Sequence, residues 1–242
     1  MKRAARAASA ALLLALLASC GTAPTAPSGS APAARLPADV PVERYAQAAS
    51  RGEPVYRVDP GASLVTLIVR RAGSLARLGH DHVIASRSVQ GLVNARGGSA
   101  DLSIALSELS VDEPALRAQV GLDTQPTASD IEGTRANMLD KVLEVQKFPY
   151  ALVRLRSVDA SRPASVTLVL HGTSRSFDVP VAVATNGDGL GARGSLEIKQ
   201  SDFGITPFSI LGGAIQVKDE VEVRFDIRAL RLKAGEQLAL QP

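Results

Sequence analysis

The 242-residue sequence predicts an all-β chain, an antiparallel barrel or sandwich, on three observations. From Tyr56 onward, apolar residues recur at every second position, the period of a strand with one buried and one solvated face. Turn residues interrupt these runs at short intervals, as in Arg96-Gly97-Gly98 and Asn186-Gly187-Asp188-Gly189. A single segment keeps a helical period. About eight or nine short strands with few helices between them fit a closed or two-layered antiparallel sheet.

The elements before the strands form an address and a tether. Lys2, Arg3 and Arg6 precede an apolar run from Ala10 to Ala18, and small residues follow. This is the plan of a secretory signal, and the run is shorter than the roughly 20 residues that span a bilayer. Leu17-Ala18-Ser19-Cys20 resembles a bacterial lipobox, in which the cysteine becomes the lipidated first residue. Residues 1–19 are therefore expected to be removed, leaving Cys20 acylated. Gly21 rather than Asp follows Cys20, so a Gram-negative envelope would place the protein at the outer membrane, facing the periplasm. Residues 20–54 are rich in Pro, Ala, Ser and Gly and read as a disordered tether. A short helix is expected within them, from Val40 to Ser50.

The expected folded domain covers residues 55–232, with a tail over 233–242. Its clearest strand alternates Val221, Val223, Phe225, Ile227 and Ala229 with Glu222, Arg224, Asp226 and Arg228. Phe177, Val179, Val181 and Val183 alternate likewise, as do Ala151, Val153 and Leu155, and Val166, Leu168 and Leu170. Further strands are expected over Ser63 to Arg70, His82 to Ala95, Ala100 to Leu106 and Gly194 to Lys199. The one helix is expected over about residues 128–147. Ser129 to Glu132 reads as its capping box. Ile131, Met138, Leu139, Val142 and Leu143 form its apolar stripe, and Pro149 ends the pattern.

Composition excludes several function classes. Cys20 is the only cysteine, so thiol catalysis, iron–sulfur clusters and cysteine zinc sites have no ligands in the folded part. The formal charge of +3 equals the three basic residues of the signal. The chain from Cys20 onward is then formally neutral, and no basic stripe supports nucleic-acid binding. Gly189-Leu190-Gly191-Ala192-Arg193-Gly194 matches a dinucleotide fingerprint as a string. That motif needs a following helix, whereas a strand follows here, so a hairpin loop is the better reading. No Gly-x-Ser-x-Gly, His-Glu-x-x-His or Walker loop is present. No enzyme activity and no cofactor are expected.

Three histidines remain: His80, His82 and His171. On a strand, His80 and His82 share a face. His171 follows the strand that ends at Leu170, and if the two strand ends meet, the three rings converge. A metal site or a polar anchor at a barrel mouth is one reading. Bracing of loops by hydrogen bonds is the other.

The chain also resembles the YceI-like family, the polyisoprenoid-binding, lipocalin-like proteins of bacterial envelopes. Four stretches in order carry the resemblance: Tyr56-Arg57-Val58-Asp59 with Ser63 and Val65; Asn137-Met138-Leu139-Asp140 with Lys147-Phe148-Pro149-Tyr150; Leu168 to Arg175; and Lys199-Gln200-Ser201-Asp202-Phe203-Gly204-Ile205. Arg70-Arg71 stands where many members carry a histidine, and the Gly79-His80-Asp81-His82 block is a departure. The resemblance implies an eight-stranded antiparallel lipocalin-like barrel with one covering helix, binding a polyisoprenoid or similar amphiphile in its lumen. A polar head would meet His80, His82, His171 or Lys199 at the mouth, with Phe203 a further contact. A membrane held through Cys20 would be the second partner. A metal-binding envelope protein using the three histidines, or a ligand-free envelope module, is the alternative.

Overall fold

The structure, a computed structural model, describes residues 39–156, 162–233 and 238. Cys20, the expected signal, the first part of the expected tether and most of the expected tail lie outside them.

Thirteen strand segments form one antiparallel sheet: β1 (Val55–Val58), β2 (Leu64–Ala72), β3 (His82–Ser86), β4 (Gln90–Asn94), β5 (Ser99–Ala105), β6 (Ser110–Val111), β7 (Tyr150–Arg156), β8 (Ala164–Leu170), β9 (Thr173–Val179), β10 (Val181–Asn186), β11 (Gly189–Lys199), β12 (Ser209–Ile210) and β13 (Ile215–Arg231). They fall into eight lanes, because several lanes are broken once. β1 and β2 both pair with β13 and make one lane. β3 pairs with β2 while β4 pairs with β1, so these two make the next. β6 and β5 follow in the same way. Then come β7, β8, the β9–β10 lane, β11 and β13. With β13 back against β1 and β2, the sheet closes into the expected eight-stranded barrel.

One closure is incomplete. β9 bonds to β8, and β10, after Pro180, bonds to β11 through Val181 to Asn186. The upper half of β11, Ser195 to Lys199, is laddered to β13 alone among the described strands. The proline is the physical reason: it has no N–H to donate, and the lane changes partner there. The Asn186-Gly187-Asp188 turn joins β10 to β11, so the fingerprint-like string is a hairpin. Gly194 in it is required by close packing, since a Cβ there would lie 2.6 Å from the Phe225 ring.

Register defines the inner face. Val223 lies opposite Leu67 and Leu196, Leu67 opposite Ile84, and Leu102 opposite Val153, which faces Leu168. One end of the lumen is packed by Tyr56, Val58, Val89, Leu190, Ile227 and Ala229. At the other end β2, β5, β8 and β11 finish. There the covering helix, α3 (Ala128–Asn137), runs into a π-turn, Met138–Val142. Met138, Leu139 and Val145 close over Ile84, Leu106, Leu109, Val111 and Ala151.

The helix differs from expectation in three ways. Its N-cap is Thr127, whose side chain accepts from the Asp130 N–H while the Asp130 carboxylate accepts from the Thr127 N–H. The capping box therefore sits two residues before the expected one. No α3 residue is buried; burial begins only at Met138 and Leu139, because the π-turn rotates these side chains onto the sheet. The helical segment ends at Val142 rather than about residue 147.

The tether boundary is also corrected. α1, Val42–Ser50, is a helix whose buried Val42, Tyr45 and Ala48 recur every third residue on one face. They pack against Val40, Val55 and Leu92, with Leu232 and Leu238 alongside. The folded body therefore starts near Val40 rather than at residue 55. On the barrel's outer face, Tyr45 donates its O–H to the buried Asp101 at 2.7 Å, and Arg44 and Arg156 also bind that carboxylate.

Candidate functional site

The lumen is apolar and incompletely filled. Leu67, Val69, Leu102, Ile104, Val153, Leu155, Leu168, Leu170, Phe177, Leu196, Val223 and Phe225 all face inward, yet each is only half-buried. In a solidly packed core such residues would be covered as fully as Ile68 or Val89. Space beside twelve inward side chains is the geometry of a barrel that holds a guest.

The gap between β9 and β11 is stopped by a side chain. The turn Ser201–Phe203 follows β11, and Phe203 is completely buried. Its ring lies 6.4 Å from that of Phe177 on β9, inclined by 30°. It packs with Ile198, Ile205 and Val221. Phe203 is thus part of the lumen wall.

His82 opens β3 opposite Val69, which lies opposite Val221, so it shares the inner face at the π-turn end. Its Nδ1 donates to Asp112 Oδ2 at 2.6 Å. Asp112 also accepts from the Val83 N–H at 3.0 Å and from Arg117 at 2.5 Å. Burial would raise the Asp112 carboxyl, but the hydrogen bonds from His82 and Val83 and the nearby positive charge outweigh it and hold it below the ordinary range. Arg117 in turn binds the carbonyls of Asp81 and Thr124. The imidazole is therefore oriented by a carboxylate on one side. Its Nε2 is neither buried nor partnered among the described residues.

The three histidines do not converge. His80 and His82 rings are 6.2 Å apart, edge to face, and His80 Nε2 lies 4.0 Å from Asp130 Oδ2. His171 sits instead in the β8–β9 turn at φ 51°. It donates from Nε2 to Glu144 at 3.1 Å and lies 4.3 Å from the Phe148 ring. It braces that turn, with Gly172 at φ 74° close under the same ring. Among the described residues, no three His, Cys, Asp or Glu side chains are gathered so as to hold a metal. Lys199 is also displaced from its expected place. Ile198 points inward, so Lys199 points out, 3.8 Å from Glu220.

Sequence reasoning missed three polar residues. Arg175 lies opposite Leu168 and two residues from Phe177, so it shares the inner face beside the β9–β11 gap. Alternation along Arg175, Phe177 and Val179 carried that signal. Asp112 and Arg117 gave no signal, because they come from an irregular segment and a short helix, α2 (Pro114–Gln119).

Comparison with known proteins supports the architecture. The family model described as the YceI-like domain matches residues 56–229. The chain is similar in structure to a polyisoprenoid binding domain from Saccharophagus degradans, with 17% identity, a TM-score of 0.54 and coverage of 73% of this chain and 98% of that one. It is also similar to BcnA from Burkholderia cenocepacia, with 21% identity, a TM-score of 0.50 and coverage of 71% and 98%. At these identities the likeness carries the fold. No curated protein matches the chain.

Proposed function

The chain belongs to the YceI-like domain family, and from that membership we propose that it is a binding protein that holds a polyisoprenoid or similar long apolar amphiphile inside its barrel. The observation that carries this reading is the ring of half-buried inward residues, from Leu67 and Val69 through Leu168 to Val223 and Phe225. Each methylene that a guest buries there contributes about 0.8 kcal/mol, so a prenyl chain of several units binds tightly without a charged contact. The similar domain from Saccharophagus degradans is a polyisoprenoid binding domain, which agrees with this chemistry. The polar end of the guest meets polar groups of the inner face, His82 and Arg175 among them. Bound at Cys20 by acyl chains in a bacterial envelope, at the outer membrane and facing the periplasm, the barrel would act as carrier or store for a lipid made in the membrane.

Organic extraction of the purified protein followed by mass spectrometry tests this. An amphiphile recovered in stoichiometric amount, and a melting temperature that rises when polyprenol is added back, are expected. Recovery of nothing, together with a melting temperature indifferent to polyprenol, overturns it.

A further inference from the structure

Three of the large apolar side chains that the fold leaves in water stand on two adjoining loops. Leu78 is 61% exposed, Ile210 46% and Leu211 70%. Leu78 belongs to the β2–β3 loop, Ile210 ends β12, and Leu211 opens the β12–β13 loop. The loops abut: the Leu75 N–H donates to the Ala214 carbonyl at 2.8 Å. A Cβ on Gly73 would lie 2.4 Å from that same oxygen. Leu211 is also held at φ 52°, with Gly212 at 64° and Gly213 at 91° after it, a conformation disfavoured for any residue with a side chain. A strained turn that lifts a leucine into water has no packing reason among its neighbours.

Two cations beside these residues are exposed and unpaired. Arg77 on the first loop and Lys218 at the start of β13 are exposed, and neither has an ion-pair partner among the described residues. The β13 register against β2 shifts between Val217 and Val221, which takes Lys218 out of that ladder. Of the carboxylates on the same segments, Asp219 is held by the uncharged Ser201 and keeps its charge, whereas Asp81 and Glu220 face cations. Exposed leucines and isoleucine between free cations match the chemistry of an anionic bilayer surface, where apolar groups enter the acyl boundary and cations meet the phosphates.

We propose that the paired β2–β3 and β12–β13 loops are a membrane-docking tip that inserts Leu78, Ile210 and Leu211 into an anionic lipid surface. The tip is on the end of the barrel where the π-turn, His82 and the Phe203 stop are found, so docking brings the guest's route and the bilayer together. Docking of this tip is independent of what the lumen holds.

The chain contains no tryptophan, so a single introduced indole reports on one place. Full-length Leu211→Trp is mixed with vesicles of phosphatidylethanolamine and phosphatidylglycerol, 3:1, with or without lipids brominated on their acyl chains. Leu230→Trp, on an exposed residue near the opposite end of β13, is the control. The Leu211→Trp emission is expected to shift to the blue and to be quenched by the brominated lipid, while the control does neither. Adding Lys218→Gln is expected to raise the vesicle concentration needed for half the shift about fivefold. Emission from Leu211→Trp that stays in water overturns the proposal. Equal insertion of both probes overturns it as non-specific adsorption. Shielding of Leu211→Trp that grows with protein concentration and needs no vesicle overturns it in favour of contact with another protein copy.

Discussion

At the scale of single residues, the strongest constraint is the buried carboxylate of Asp112. It orients His82, receives the Val83 N–H and neutralises Arg117, itself buried. Removing one member of such a set leaves an uncompensated charge, which costs about 3–5 kcal/mol. Asp112→Asn is therefore expected to lower the melting temperature by on the order of 10 °C. The double variant with Arg117→Met should recover part of the loss, because the stranded cation is gone. The pH dependence has a fixed sign. The carboxyl sits below its ordinary value of 3.8 in the fold, so its contribution is complete above that value and is lost as pH falls through the lower, folded one. Denaturant melts at a series of pH values from 6 to 2 should show a steeper acid loss for the parent than for Asp112→Asn. Equal slopes would mean that the carboxylate is not paired as described.

At the scale of elements, α1 and the Phe203 turn each attach an irregular piece to the regular barrel. Tyr45 is the key of α1. Burial, and then the hydrogen bond and charge of Asp101, push its hydroxyl up to about 12 against the opposing effect of Arg44. A raised value means that the docked helix favours the protonated phenol. Its contribution is full below pH 10, the ordinary value, and declines as pH climbs toward 12. Among the three tyrosines, one should ionise only near pH 12 in an absorbance titration, and Tyr45→Phe should abolish that late step. Phe203 invites a kinetic test. Phe203→Ala is expected to cost about 3–5 kcal/mol and to open the gap between β9 and β11. A lipophilic dye such as N-phenylnaphthylamine should then leave the lumen faster, with Phe203→Leu in between; an unchanged off-rate would locate the guest's route elsewhere. These elements also show what was legible in the chain. β13, β8 and β7 were plain, because a period of two survives wherever one face is buried. The helix of α1 was legible from Val40 to Ser50, but its docking was not, since Val42, Tyr45 and Ala48 lie in a segment whose composition reads as tether. Ile198, inward by alternation, already turns its neighbour Lys199 outward. His171 could not be placed from sequence, because Glu144 and Phe148, which hold it, arrive through the irregular chain after the π-turn.

At the scale of the whole molecule, stability and binding draw on the same interior. The lumen is closed by packed side chains at one end and by Met138 and Leu139 at the other, while its middle is left with space beside Leu67, Leu168 and Val223. A guest that occupies the space at one hundred times its dissociation constant adds about 2.7 kcal/mol to the folded state, or on the order of 5–10 °C for a domain of this size. Filling the space permanently should remove that response. Leu168→Phe adds volume at the centre of the inner face. In a core already packed to density, it would force displaced rotamers and cost about 1–3 kcal/mol. In an unfilled lumen, the added ring buries apolar surface instead, and the guest-free protein should melt at the same temperature or higher. The two situations separate cleanly when the melting temperature is recorded with and without added polyprenol. A variant as stable as the parent, and indifferent to the lipid, would show that the space is real and that the guest uses it. A destabilised variant that still responds to lipid would place the binding surface outside the barrel.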